Sequence, residues 1–98
     1  MSDQPLTDEE ITQTLMTLLG WEREGDELTK TFSFGDFRSA MGFMVRAGFE
    51  AEAHDHHPAW TNVYNRVEVR LNTHSAGGKI TAKDFALAQA FDQIAPTA

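Results

Sequence analysis

The chain has 98 residues, 41% hydrophobic and 23% charged, with no cysteine. That balance suits one small globular domain over residues 1–98 and excludes disulfide frameworks, thiol catalysis, Fe–S clusters and cysteine-based zinc sites. Eight Lys+Arg against fifteen Asp+Glu give a net charge of −7, which phosphate backbones and anionic lipid repel, so neither direct nucleic-acid binding nor membrane docking is expected. No apolar run approaches the ~20 residues of a bilayer span. Met1-Ser2-Asp3-Gln4-Pro5 has neither the basic nor the apolar region of a signal peptide, so a cytoplasmic location is expected.

About five residues at the N-terminus and three at the C-terminus are expected to be unstructured. Thr7-x-x-Glu10 reads as a capping box. Ile11, Leu15, Leu18 and Leu19 follow on one helical face, and Gly20 suits the position after the helix, which is predicted over residues 8–19. Trp21 to Glu24 reads as a short strand, Gly25-Asp26 as a turn, and Leu28 to Phe34 as an alternating strand, together a hairpin. Phe37, Ala40, Met41, Met44, Ala47, Gly48 and Ala51 form the longest amphipathic stripe, a second helix that must stop before Pro58. Trp60–Asn65 and Arg66–Leu71 read as a second hairpin, with Val67, Val69 and Leu71 buried. After the loop Ala76-Gly77-Gly78, Thr81-x-x-Asp84 starts a third helix. Its stripe is Leu87, Ala88, Phe91, Ile94 and Ala95, and Pro96 closes it. The expected fold is α+β and two-layered, α-β-β-α-β-β-α, with a four-stranded antiparallel sheet and helices on one face.

Three of the four histidines, His54, His56 and His57, fall within four residues, with Asp55 among them and Glu52 four before His56; His74 follows the last strand. A helix-to-strand connection and a strand end can meet in space, and grouped imidazoles give and take protons near neutrality. His54 is expected only to complete the last helical turn. A metal site on His54, His56 and His74 stays open, although the i, i+4 histidine pair of a helical zinc motif is absent. Acid–base catalysis without a metal is the other reading. Ser39 and Ser75 lack a nucleophile context. Gly77-Gly78-Lys79 is a turn and not a phosphate loop, and Asp84 is expected to cap. Phe37, Met41 and Met44 are expected in the core, with Phe43 left for a subunit contact. Trp21 and Trp60 are either core or walls for a flat heteroaromatic ligand.

Taken together, Glu52, Asp55, His56-His57-Pro58, Tyr64, Thr73-His74 and Asp84, with Gly20-Trp21, Phe34-Gly35-Asp36-Phe37 and Gly42-Phe43-Met44, resemble the pterin-4a-carbinolamine dehydratases over about residues 6–94. The resemblance implies the same element order and a homodimer or homotetramer. The implied activity is dehydration of 4a-hydroxytetrahydropterin to quinonoid dihydropterin, with no metal, cofactor or redox step. It implies that His56 and His74 flank the 4a-hydroxyl as acids, and that His57, oriented by Glu52, is the base. Asp55, Asn72, Thr73 and Ser75 would bind the pterin, and Trp21 would wall the pocket. Some members of that family also bind a helical dimerisation segment of a partner protein, so a helix-interface binding module is the alternative, and a metal-dependent hydrolase a further one.

Overall fold

The structure is a computed structural model and describes residues 4–95. The elements are α1 (Asp8–Leu15), β1 (Glu22–Glu24), β2 (Glu27–Ser33), α2 (Phe37–Ala53), β3 (Ala59–Val63), β4 (Arg66–Leu71), a 3₁₀ turn (His74–Ala76) and α3 (Ala82–Ile94). The order is the one expected. The four strands form one antiparallel sheet, β1-β2-β4-β3, in which the two hairpins join through β2 and β4. Pro96 and the outermost terminal residues lie outside the described residues. Among the described residues no helix is long and apolar enough to cross a membrane.

Strand alternation sets the layers. Leu28, Phe32, Val67, Val69 and Leu71 are buried beneath the helices, while Thr29, Thr31, Arg66, Glu68 and Arg70 turn to the other side. The helices fill the core with Ile11, Ala40, Phe43, Ala47, Leu87, Ala88 and Phe91. The Phe43 ring lies 4.6 Å from that of Phe32 and 6.1 Å from that of Phe91. Trp60 stacks on Phe91 at 6.4 Å and so belongs to the core.

Three expectations need correction. The first helix ends at Leu15, not at residue 19. Beyond it the backbone tightens to bonds three residues apart, Thr17 N to Thr14 O and Leu18 N to Leu15 O, and this turns Leu18 inward and leaves Leu19 exposed. Gly20 still ends the segment, with φ +87°; a Cβ there would meet Lys30 Cε at 3.0 Å. The second correction is to α2. Its inner face is Ala40, Phe43, Ala47 and Ala51, whereas Phe37 and Met41 are exposed. Small alanines let the helix lie close to its neighbours, and Phe43 fills the space between the layers, so Phe43 is not available for a subunit contact. Finally, β3 stops at Val63 because Tyr64 takes a left-handed conformation, φ +51°, and turns the chain with Asn65.

Candidate active site

The end of α2 aims the first two imidazoles. His54 caps the helix, and Asp55 takes a left-handed conformation, φ +50°. Asp55 N then donates to Glu52 O and His56 N to Ala51 O, the paired bonds of a Schellman turn, with aspartate where glycine is usual. A non-glycine residue held there is strained, and such strain persists where the surroundings over-determine it. The reversal leaves adjacent imidazoles with different surroundings. His56 is 7% exposed, and its Nε2 lies 2.6 Å from Asp84 Oδ1. His57 is exposed, and its Nε2 lies 2.8 Å from Glu52 Oε1. His54 Nδ1 lies 2.8 Å from Glu50 O, a helix-end role as expected.

The second stretch comes from the end of β4. Thr73 is bridged to Lys79, with Thr73 N donating to Lys79 O and Gly78 N to Thr73 O. Gly77 and Gly78, at φ +74° and +78°, supply the left-handed turn that closes this loop. The 3₁₀ turn so formed presents His74 and Ser75 beside Asn72. Lys79 Nζ bonds Asp26 Oδ2 at 3.0 Å, an ion pair that suits a turn.

Beneath both stretches lies Asp84, fully buried at the third position of α3. Its Oδ2 accepts from Thr81 N and Thr73 Oγ1, both at 2.9 Å, which completes the expected capping box. Thr81 Oγ1 in turn donates to Thr73 Oγ1 at 2.6 Å, because the Thr73 proton goes to Asp84. With Oδ2 engaged by two donors, Oδ1 accepts from His56 Nε2. That bond fixes the His56 tautomer and leaves Nδ1 as the nitrogen for chemistry.

A cavity of about 620 Å³ opens between the two stretches. It is lined by Asp55, His56 and His57 from one and by Asn72, Thr73, His74 and Ser75 from the other. The structure therefore brings seven of the sequence-derived residues to one cavity, with Glu52 bonded behind His57. The Thr73 hydroxyl is committed to Asp84 and Thr81, so its side chain holds the floor of the site.

Trp21 is a correction: it does not wall this cavity. It is buried in the core at 6.0 Å from Phe32, and its Nε1 donates to the Asp92 carboxylate at 3.1 Å. An indole with a carboxylate partner for its N–H buries readily. Nor are His54, His56 and His74 gathered as a ligand set: among the described residues no group of three or more His, Asp or Glu is placed to hold a metal ion.

Sequence reasoning missed Glu27, Arg70 and Lys83, which also line the cavity, together with Pro58 and Ala59. Asn72, just past the end of β4, is two residues from Arg70 and so continues its face by alternation, the signal that could have revealed Arg70. Its Nη1 meets Glu24 at 2.9 Å and Glu27 at 3.0 Å, and its Nε meets Glu68 at 3.4 Å. The hydrogen bonds that it donates to Glu24, then to Glu27 and Glu68, push the guanidinium further above its ordinary value, so it stays charged.

Comparison with known proteins bears on the family and the fold. The family model described as pterin 4 alpha carbinolamine dehydratase matches residues 4–94. A relative from Opitutus terrae, which carries the provisional name pterin-4-alpha-carbinolamine dehydratase, is 62% identical over 89 residues, covering 91% of this chain and 92% of its own. One from Rhizorhabdus wittichii with the same provisional name is 45% identical and covers 97% of this chain and 99% of its own. A crystal structure from Brucella melitensis, described as a transcriptional coactivator/pterin dehydratase, superposes with a TM-score of 0.90 at 41% identity, over 95% of this chain and all of that one. A pterin dehydratase-like RuBisCO assembly factor of the alpha-carboxysome shares the fold, with a TM-score of 0.64 at 20% identity over 80% of this chain and 89% of that one. With its histidines grouped round one cavity and a family model spanning nearly its whole length, the chain belongs to the pterin-4-alpha-carbinolamine dehydratase family.

Proposed function

We propose that this protein is a hydro-lyase that removes water from a 4a-hydroxytetrahydropterin to give the quinonoid dihydropterin, acting in the cytoplasm as part of tetrahydrobiopterin regeneration. The observation that carries the reading is the meeting of His56, His57 and His74, from two separate stretches of chain, around one cavity. The reaction breaks the C4a–O bond and forms the C4a–N5 double bond. The leaving hydroxyl takes one proton and N5 gives one up, so two groups of opposite duty are enough and no electron is transferred. His56 and His74 flank the hydroxyl as acids, His56 by giving up a second proton from Nδ1 while the one on Nε2 stays bonded to Asp84. His57, oriented by Glu52, receives the N5 proton, and its exposure lets it exchange that proton with water. Asp55, Asn72 and Ser75 hold the ring above the floor that Thr73 forms. The imidazoles act without a metal.

The test is a direct assay of 4a-hydroxytetrahydropterin breakdown with purified protein, after elemental analysis of the same sample. His56→Ala, His57→Ala and His74→Ala are each expected to lower kcat by about 10²-fold, the scale of one general acid or base. Wild-type rates in all three variants would show the site to be elsewhere, and stoichiometric zinc or iron required for the rate would favour the hydrolase-like alternative.

A second property rests on a different observation. Phe37, Met41, Val45 and Phe49 lie exposed at four-residue intervals along the outer side of α2. This apolar stripe is the face through which the chain forms a homodimer or homotetramer, and the one a helical partner protein would use.

A further inference from the structure

The three imidazoles are not held alike. His56 has Asp84 on its ring and His57 has Glu52. Among the described residues no carboxylate pairs with His74, which stands exposed on its 3₁₀ turn. The place of that ring is therefore set by the backbone that carries it. The turn runs into Gly77 and Gly78, both left-handed, and two glycines make a loop costly to order. The loop stands on two legs, Thr73 and Lys79, which face each other across an isolated bridge. The Thr73 leg is fixed from within, by its hydroxyl on Asp84. The Lys79 leg is fixed from outside: its Nζ reaches Asp26 Oδ2 at 3.0 Å, in the turn between β1 and β2.

We propose that Asp26 and Lys79 form a latch that holds the turn bearing His74, and that both are positioning residues for the reaction. The inference rests on the dehydratase reading above and deepens it, since it says what keeps the third imidazole at the cavity. Asp26 is placed before Lys79 arrives. Gly25, at φ +62°, makes the tight turn, and Arg23 Nε donates to Gly25 O at 2.8 Å. The same guanidinium stands 3.8 Å from Asp26 Oδ1 through Nη2, and through Nη1 it meets Asp8 Oδ1, at the start of α1, at 2.8 Å. An exposed ion pair standing alone contributes little, whereas one inside a network of fixed charges contributes more. The far side of Lys79 is fixed too, because Ile80 O accepts from Leu6 N at 2.9 Å. When Nζ lets go, the slack therefore falls on the glycine side. A single bridge frays easily. Its opening frees Ala76 N and Gly78 N from Thr73 O, and Gly77 N from His74 O, so that His74 swings with the turn.

The experiment takes the wild type, Lys79→Met, Lys79→Arg, Asp26→Asn and the double variant Asp26→Asn with Lys79→Met through two readouts. One is hydrogen exchange of the Ala76, Gly77 and Gly78 amides, and the other is turnover of a 4a-hydroxytetrahydropterin. Lys79→Met and Asp26→Asn are each expected to speed exchange of those amides by about five-fold, the upper range for an exposed pair, with the amides of α3 unchanged. kcat is expected to fall by about two- to five-fold, because fewer molecules then hold His74 in place. The double variant is expected to match the single ones, since the pair is lost only once. Lys79→Arg keeps the charge and is expected to keep both the exchange and the rate. In about 1 M salt, which screens the pair, the ratio of the wild-type rate to that of Lys79→Met is expected to approach one. A structural role of the lysine stem would leave that ratio unmoved. Unchanged exchange in the single variants, additive losses in the double one, or faster exchange at wild-type kcat would each overturn the latch as a positioning device. Absence of turnover in the wild type removes the dehydratase reading and the role in the reaction with it, and exchange then decides by itself whether the pair holds the turn.

Discussion

At the scale of the residue, the site turns on one carboxylate with two duties. Asp84 Oδ2 completes the cap of α3, and Oδ1 accepts from His56 Nε2. Each buried donor left without its acceptor costs about 1–3 kcal/mol, and Asp84 serves three, His56 Nε2, Thr73 Oγ1 and Thr81 N; against the ~5–15 kcal/mol of a small domain, Asp84→Ala is expected to unfold much of the protein. Asp84→Asn keeps the volume but not the pattern: either its amide opposes the Thr73 and Thr81 donors, or it donates to His56 Nε2, which leaves the ring one proton, on Nδ1, and no carboxylate to support the doubly protonated acid. We expect kcat to fall about 10²-fold with a much smaller change in KM, and the ¹⁵N shifts of His56 to report the changed tautomer. A variant with wild-type kcat and unchanged ring shifts would leave Asp84 a cap only. The histidines were legible in the sequence because imidazoles are scarce and these were grouped. The second duty of Asp84 was hidden, since a capping box already accounts for the residue and its other partner lies 28 positions earlier. Trp21 misled for a related reason: its N–H partner, Asp92, is 71 positions away, and a ring bound for the core reads like a ring walling a ligand.

At the scale of the element, α2 does the positioning, and both of its ends are specified locally. Asp36 caps the start, accepting from Ser39 N at 2.8 Å, and this bond holds the Asp36 carboxyl below its ordinary 3.8. A carboxyl lowered in the folded chain stabilises it at pH above 3.8, and that contribution drains away as pH falls through the lower folded value. The difference in Tm between wild type and Asp36→Ala is therefore expected to be full near neutrality and to shrink below pH 3.8. A difference that stays constant across that range would remove the ionised cap as its source. At the other end, the turn through Asp55 carries no glycine to announce it, so the sequence placed the end of the helix only through Pro58. Ala40, Ala47 and Ala51 were legible as part of the inner stripe, but its neighbours were not, for a physical reason: the helix is apolar on two sides, and periodicity does not say that Phe43 turns inward while Phe37 and Met41 turn out. Packing resolved it in favour of Ala40, Phe43, Ala47 and Ala51. The end of α1 was lost in the same way, because the switch to a tighter turn at Thr17 and Leu18 leaves the apolar spacing unchanged.

At the scale of the whole molecule, the layers leave two surfaces of different character. The open side of the sheet carries Thr31, Thr61, Arg66 and Glu68, while the outer side of α2 carries Phe37, Met41, Val45 and Phe49, the last 71% exposed. Apolar side chains repeating every fourth residue on one helix make a continuous patch, and a chain this small buries such a patch most readily against a second copy. The site and this patch use opposite ends of the same logic. His56 and His57 follow the C-terminus of α2 and project to the cavity, whereas the stripe runs along its length away from the core. The two functions should therefore separate by substitution. Val45→Glu with Phe49→Glu places two like charges where two copies would meet, and is expected to convert the wild-type assembly to monomers in light scattering, with the folded far-ultraviolet spectrum retained. His57→Ala is expected to do the reverse, keeping the assembled mass while losing about 10²-fold in rate. An unchanged mass in the double-glutamate variant, or a wild type that is already monomeric at high concentration, would strip the stripe of its role in assembly and leave the cavity chemistry untouched.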